Sequence, residues 1–389
     1  MTNNSFHKGY VFLAACIGML LFGIVMISLG SILPEVIEKF QLDEVGTGTM
    51  LTLLPFGILT GSLIFGPLVD WLSYKIVLIT GSVFTLLGIE GLVFSEIMTP
   101  MYFSVFCIGF GGGILNGVTN ALVSEISEDD HSANLSLLGV FFGIGALGTP
   151  MILGLVKGVY TFETILAWFG AFMFLPILFF VFNRFPKSAG TEGLPVKEWA
   201  QMVKDPLLLL LGGILFFQSG IEGLTNNWTT TYLEMIKGIE ASNALFILSS
   251  FVGALTVTRI ILGKVLRILS PFRVLVFGFI IAFLGCFCMV IGDSFLSSIL
   301  GMIAIGVGLA AGFPVVLGYI GQTYTQLSGT AFSIVITIAL IGNVIANYVM
   351  GLASQAYGLE VLPYFVVCAV LAIFILLYIT KQKYKTVIN

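Results

Sequence analysis

Gly66-Pro67-Leu68-Val69-Asp70-Trp71-Leu72-Ser73-Tyr74-Lys75 joins the end of one long apolar run to the start of the next. An aspartate four residues after a glycine, at the rim of a hydrophobic segment and followed by a base, has a physical use. The glycine lets two helices approach closely. The carboxylate can hold the amino terminus of another helix through its partial positive charge. Taken by itself, the stretch reads as an interfacial Asp and Lys flanking a tight turn between two spans.

Outward from that turn the chain is apolar. Its 389 residues are 58% hydrophobic and 9% charged, with mean hydropathy +1.09. Soluble domains carry about 25% charged residues, so the composition describes a multi-span membrane protein. It offers no basic face for nucleic acid. A bilayer core about 30 Å thick needs roughly 20 apolar residues per helix. Twelve such runs are found, near 9–33, 46–70, 75–97, 100–125, 134–157, 161–183, 207–232, 243–266, 271–292, 294–321, 328–353 and 359–380. The first is too long for a signal-peptide core and is expected to stay as a span.

The polar stretch 184–205 divides the chain into residues 1–183 and 206–389, six runs on each side. Its part from Pro195 to Lys204 reads either as a short surface helix or as a solvated linker. With the amino terminus inside, only Lys39, Lys157 and Lys237 of the 16 Lys and Arg residues face outward, and Arg259 lies within a run. This bias predicts that both termini are cytoplasmic. The two sets also echo each other. Ile108-Gly109-Phe110-Gly111 recurs as Ile305-Gly306-Val307-Gly308, Gly145 falls opposite Gly342, and Pro150 to Gly154 matches Asn347 to Gly351.

The seventh run carries Gln218, Glu222, Asn226, Asn227 and Trp228. A charge at bilayer depth costs about 2.5–3.5 kcal/mol even on the gentlest scales, so Glu222 is a candidate for binding a cation or a polar solute. Gln218, Glu222 and Asn226 share one helical face. The glycines at 220 and 223 make a bend there plausible. Asn116/Asn120 and Asn343/Asn347 repeat the four-residue amide spacing on two further runs. Amides donate and accept, which suits neutral polyhydroxylated ligands, and Trp228 can stack on a sugar's apolar face. The alternative is that these amides bond neighbouring helices, worth about 0.6 kcal/mol each. Glu90 reads as an interfacial or helix-packing carboxylate, with a cation site as the alternative, and the acidic run from Glu125 to Asp130 as a solvated turn. The five cysteines show neither a disulfide framework nor metal-ligand spacing. No nucleophile, acid–base pair or metal cluster supports an enzyme.

The stretch Gly66–Lys75 resembles the signature of the major facilitator superfamily, with Trp71 and Ser73 replacing its usual base and glycine. That resemblance implies an all-α integral membrane protein of twelve helices in two pseudo-symmetric six-helix bundles. Thr258-Arg259-Ile-Ile-Leu-Gly263-Lys264 looks like the corresponding element of the second half. Gly66, Asp70, Lys75 and Arg259 are then conformational-switch residues, although Arg259 is equally read as snorkelling to headgroups.

Glu222 followed by Asn227-Trp228 and Thr231-Tyr232 is similar to helix 7 of the fucose–proton symporter-like branch and its sodium-linked glucose transporter relatives. Asn116 and Asn120, Asn134-Leu135 and Gly312-Phe313-Pro314 extend that similarity. The branch's other acids fall here near Gly30 and on Asn116, which leaves Glu222 as the coupling candidate. The resemblance implies uptake of a small neutral solute, a monosaccharide or related compound, by H⁺ or Na⁺ symport. The substrate contacts it implies are Asn116, Asn120, Gln218, Asn226, Asn227, Trp228, Asn343 and Asn347. The expected partners are that solute and the lipid bilayer, with no cofactor beyond the coupling ion, which could be Na⁺ at Glu222. A monomer in a bacterial cytoplasmic (inner) membrane is expected. Efflux of an amphipathic compound and a non-transporting sensor are the competing readings. The topology is testable: green fluorescent protein fused after Asn389 is expected to fluoresce, and a dark fusion with an active periplasmic phosphatase fusion at the same point would contradict it.

Overall fold

The computed structural model describes residues 6–384 apart from 43, 128–129, 157–159, 188–195 and 293. Its helices are α1 (Lys8–Ser31), α2 (Leu33–Phe40), α3 (Glu44–Trp71), α4 (Tyr74–Phe94), α5 (Met98–Ile126), α6 (His131–Val156), α7 (Phe162–Phe182) and α8 (Val196–Met202). The chain continues through α9 (Pro206–Met235), α10 (Ala241–Val265), α11 (Pro271–Ile291), α12 (Phe295–Leu309), α13 (Gly312–Thr323), α14 (Ser328–Tyr357) and α15 (Leu362–Lys383). Among the described residues, twelve segments are long and apolar enough to cross a membrane. Lys157 and Pro195 lie outside the described residues.

Local chemistry sets the helix ends. Asp205 accepts from the N–H groups of Leu207 and Leu208 at 2.8 and 3.1 Å, with Pro206 just inside the helix. An aspartate cap followed by proline is a strong start signal, because both relieve the unpaired donors of the first turn. Ser294 and Ser297 close a reciprocal capping box on α12. Two predicted runs are interrupted. The first is carried on by α2 after Ile32. The tenth divides at residues 310–311, where Gly312 and Pro314 open α13. Proline has no N–H to continue the ladder, so the break follows from the sequence.

The contacts divide the chain into two compact units. One contains residues 1–128, 141–199 and 324–333; the other contains 129–140, 200–323 and 334–389. In the first, α5 packs on α1, α3 and α4. In the second, α12 packs on α10 and α11, while α9 packs on α15, α10 and α13. Each unit therefore includes a short segment from the opposite half of the sequence: the start of α14 joins the first, and the start of α6 joins the second.

Close helix contact in both units depends on glycine, and it recurs at a spacing of 197 positions, as from 109 to 306 and from 145 to 342. A Cβ on Gly109 would strike the Leu54 carbonyl, and one on Gly306 the Phe251 carbonyl. A Cβ on Gly145 would strike the Leu20 carbonyl, and one on Gly342 the Phe216 carbonyl. Small residues let backbones meet where lipid supplies no hydrophobic drive between helices. Gly342→Leu is expected to cost about 1–3 kcal/mol or more by overpacking, read as a lower melting temperature in detergent. Gly253→Leu, whose added atoms begin in open space, is expected to melt like the parent.

Candidate functional site

Helix α9 runs unbroken through Glu222. Its buried face carries Leu211, Leu215, Gln218 and Ile221. Gln218 is fully buried and its amide nitrogen donates twice, to Glu222 Oε1 at 3.0 Å and to the Leu309 carbonyl at 2.9 Å. The second acceptor is the last residue of α12, where the helix breaks. Gly312 makes this possible, since a Cβ there would overlap the Gln218 side chain. Gln218 Oε1 is buried without a partner. Glu222 itself is half-buried. It is neither sealed in the core nor fully open.

One turn on, Asn226 and Asn227 are exposed. Asn226 donates back to the Glu222 carbonyl at 2.8 Å, which keeps it on its own helix. Asn227 and the Trp228 indole both donate to Asn347 Oδ1 at 3.0 Å. Asn347 donates in turn to the carbonyl and side-chain oxygen of Asn343, and Asn343 donates to the Ser219 carbonyl at 3.0 Å. The amides of α14 are thus committed to joining α14 to α9. They orient Asn227 and Trp228. In the first unit Asn120 donates to the carbonyl and side chain of Asn116, and Asn116 is half-buried.

The switch residues separate into different places. Asp70 caps α14: Thr330 N–H donates to it at 2.9 Å, the Thr330 hydroxyl also donates, and the Gly329 N–H joins them. A Cβ on Gly66 would collide with the Gly329 carbonyl, so both residues of the predicted pair serve one contact. Tyr74, fully buried, hydrogen-bonds Glu125 and Ser328 beside it. Lys75 does not join this cluster and donates to the Val181 carbonyl on α7. Arg259 is buried in the second unit, against the start of α6. Its burial removes the headgroup-snorkelling reading. In the equivalent repeat position, 197 after Asp70, Arg267 pairs with Asp130 at 3.1 Å just before α6.

Tyr74, Thr330 and Glu125 were not singled out by spacing. A signal existed for one of them: Ser328-Gly329-Thr330 opens an apolar run, as helix-starting hydroxyls do. Glu125 is exposed at the end of α5 and accepts from the Tyr74 hydroxyl at 3.4 Å. Glu90 packs over Gly170 of α7, in keeping with a helix-contact carboxylate. A cavity of about 550 Å³ lies in the first unit, lined by Leu20, Ile144, Trp168 and Phe172 among others. None of the predicted polar residues reaches it. Its exposed Trp168 and Phe172 suit contact with lipid.

The Major Facilitator Superfamily pattern matches residues 15–305 of the chain. The chain is similar to the glucose/mannose transporter GlcP of Bacillus subtilis, with 24% identity over 349 residues covering 85% of this chain and 84% of that one. It is also similar to a protein TsgA homolog of Buchnera aphidicola, with 20% identity over 330 residues and 83% of each chain. The crystal structure of the E. coli fucose:proton symporter FucP superposes with a TM-score of 0.81 at 20% identity, covering 95% of this chain and 98% of that one.

The Asp70 cap yields a direct test. Asp70→Ala leaves the first-turn donors of α14 without their acceptor, an expected loss of about 1–3 kcal/mol. A drop of several degrees in melting temperature is expected, with Trp71→Ala, at a half-exposed neighbour, close to the parent. Equal behaviour of the two variants would contradict the cap.

Proposed function

The chain belongs to the Major Facilitator Superfamily, and from that premise we propose that it imports a small neutral polar solute, a monosaccharide or related compound, by cation symport with alternating access. It is a multi-span membrane transporter and not an enzyme. A bacterial inner membrane fits its relatives, one of which is the inner membrane transport protein YdiN of E. coli. Both termini are assigned to the cytoplasm.

The observation that carries the proposal is the half-buried Glu222 carboxylate, held by Gln218 beside two exposed asparagines on α9. In transporters of this architecture a broken helix beside the site supplies polar backbone to the ligand or ion. Here the α12–α13 break stands one hydrogen bond from Glu222, through Gln218. Glu222 is assigned the coupling ion, H⁺ or Na⁺. The solute is assigned to the exposed Asn226 and Asn227 with the Trp228 ring in the second unit, and Asn116 and Asn120 are the candidate solute contacts of the first unit taken by itself. Gln218, Asn343 and Asn347 hold these groups in place. The transport of fucose by FucP and of glucose and mannose by GlcP supports the sugar class.

A thermal-shift screen of purified protein against monosaccharides, with and without Na⁺ and across pH, identifies the solute and the ion. With the sugar it selects, Glu222→Gln in proteoliposomes is expected to lose gradient-driven accumulation at least tenfold while keeping counterflow exchange. Normal accumulation by this variant would remove the coupling role.

A further inference from the structure

One end of the second unit gathers cations that no described acid answers. Lys264 lies in the last turn of α10, Arg273 in the first turn of α11, and Lys381 and Lys383 in the last turn of α15. All four are exposed. The acids described at this end are already engaged. Asp130 pairs with Arg267 at 3.1 Å, and Asp205 accepts from the first-turn N–H groups of α9. None of the four cations forms an ion pair with a described residue.

The surroundings turn these charges toward lipid. Ile268 and Leu269, between Arg267 and Arg273, are 83% and 47% exposed. Water penalises such apolar surface, whereas the boundary between headgroups and acyl chains accepts it. Arg273 heads the α11 face that carries Phe277, Ile280 and Leu284, all exposed, so an acyl chain on that face ends beside the guanidinium. Lys381 Nζ lies 5.0 Å from the centre of the Phe272 ring, which sets a cation of α15 against the start of α11. The repeat supplies the contrast. Lys75 stands 197 positions before Phe272 and uses its charge within the fold, on the Val181 carbonyl of α7. At the matching seam of the second unit the base is on the opposite helix, and Lys381 has no hydrogen bond to a described residue.

We infer that the α11–α15 seam at this end binds the phosphodiester headgroup of an anionic glycerophospholipid. Arg273 and Lys381 hold the phosphate oxygens, the first through its planar fork and the second as a point charge. Lys264 and Lys383 add to the local positive potential that draws an anionic lipid to a membrane protein's rim. The acyl chain lies along Phe277, Ile280 and Leu284. A zwitterionic headgroup is disfavoured, because its ammonium would meet four cations and no free described acid. The site belongs to the second unit alone and depends on neither the solute nor the coupling ion.

Full-length protein in an uncharged maltoside detergent is melted with phosphatidylglycerol, with phosphatidylcholine of the same acyl chains, or with inorganic phosphate. Phosphatidylglycerol is expected to raise the melting temperature by several degrees more than phosphatidylcholine does, as a ligand of the folded state must. Phosphate alone is expected to leave it unchanged. Each variant is compared with its own lipid-free value, so its intrinsic stability does not enter. R273Q/K381Q is expected to lose at least half of the phosphatidylglycerol-specific rise. R273K/K381R, which keeps both charges, is expected to retain it. So is K187Q/K197Q, which removes two exposed cations from the 184–205 stretch. Where R273Q/K381Q gives no folded protein, K264Q/K383Q takes its place with the same expectation. Equal rises with the two lipids, a rise of the same size with phosphate alone, or a loss in K187Q/K197Q as large as in the rim variant overturn the proposal.

Discussion

One amide nitrogen, that of Gln218, holds the polar centre of the second unit together. It donates to the Glu222 carboxylate and to the Leu309 carbonyl where α12 stops. Without it the broken helix would lose a partner for a buried carbonyl, and the carboxylate would lose the donor that fixes its direction. Unpaired buried groups cost about 1–3 kcal/mol each. The missing side chain at Gly312 is what admits Gln218 to this position. Glycine, proline and glutamine thus act together: two of them make the break and the third binds it to the helix bearing the acid.

The remainder of the protein supports that centre through backbone contact. Helices in lipid gain little from burying apolar surface against each other, so they associate by close packing and hydrogen bonds. Glycines at matching positions of the repeat bring neighbouring backbones together in each unit. The polar bonds then add direction. The amide chain from Ser219 through Asn343 and Asn347 to Trp228 pins α14 to α9. The Asp70 cap pins the start of the same α14 within the other unit.

The spans were legible because twenty-residue apolar runs have few readings, and the repeat because its glycines keep one register. Asp70 was legible as a helix cap, although its partner Thr330 was not, since 260 residues separate them. The fates of the asparagines were not legible. An i, i+4 amide pair looks the same whether it faces a solute or a neighbouring helix, and Asn343 and Asn347 face the helix while Asn226 and Asn227 are exposed. Arg259 was read as a headgroup contact or a gate. Only the tertiary arrangement reveals that it is buried against the start of α6. The family signature groups Lys75 with Asp70, but a turn between them sends its side chain to α7.

The role proposed for Glu222 is to exchange the coupling ion during transport. Charge movement on a supported membrane, recorded when the sugar selected by the thermal-shift screen is jumped onto reconstituted protein, reads that exchange directly. The account predicts a transient current of the sign of positive charge moving with the sugar in the parent, and none in a Glu222→Gln protein that still binds the sugar. Equal currents from both proteins would contradict it.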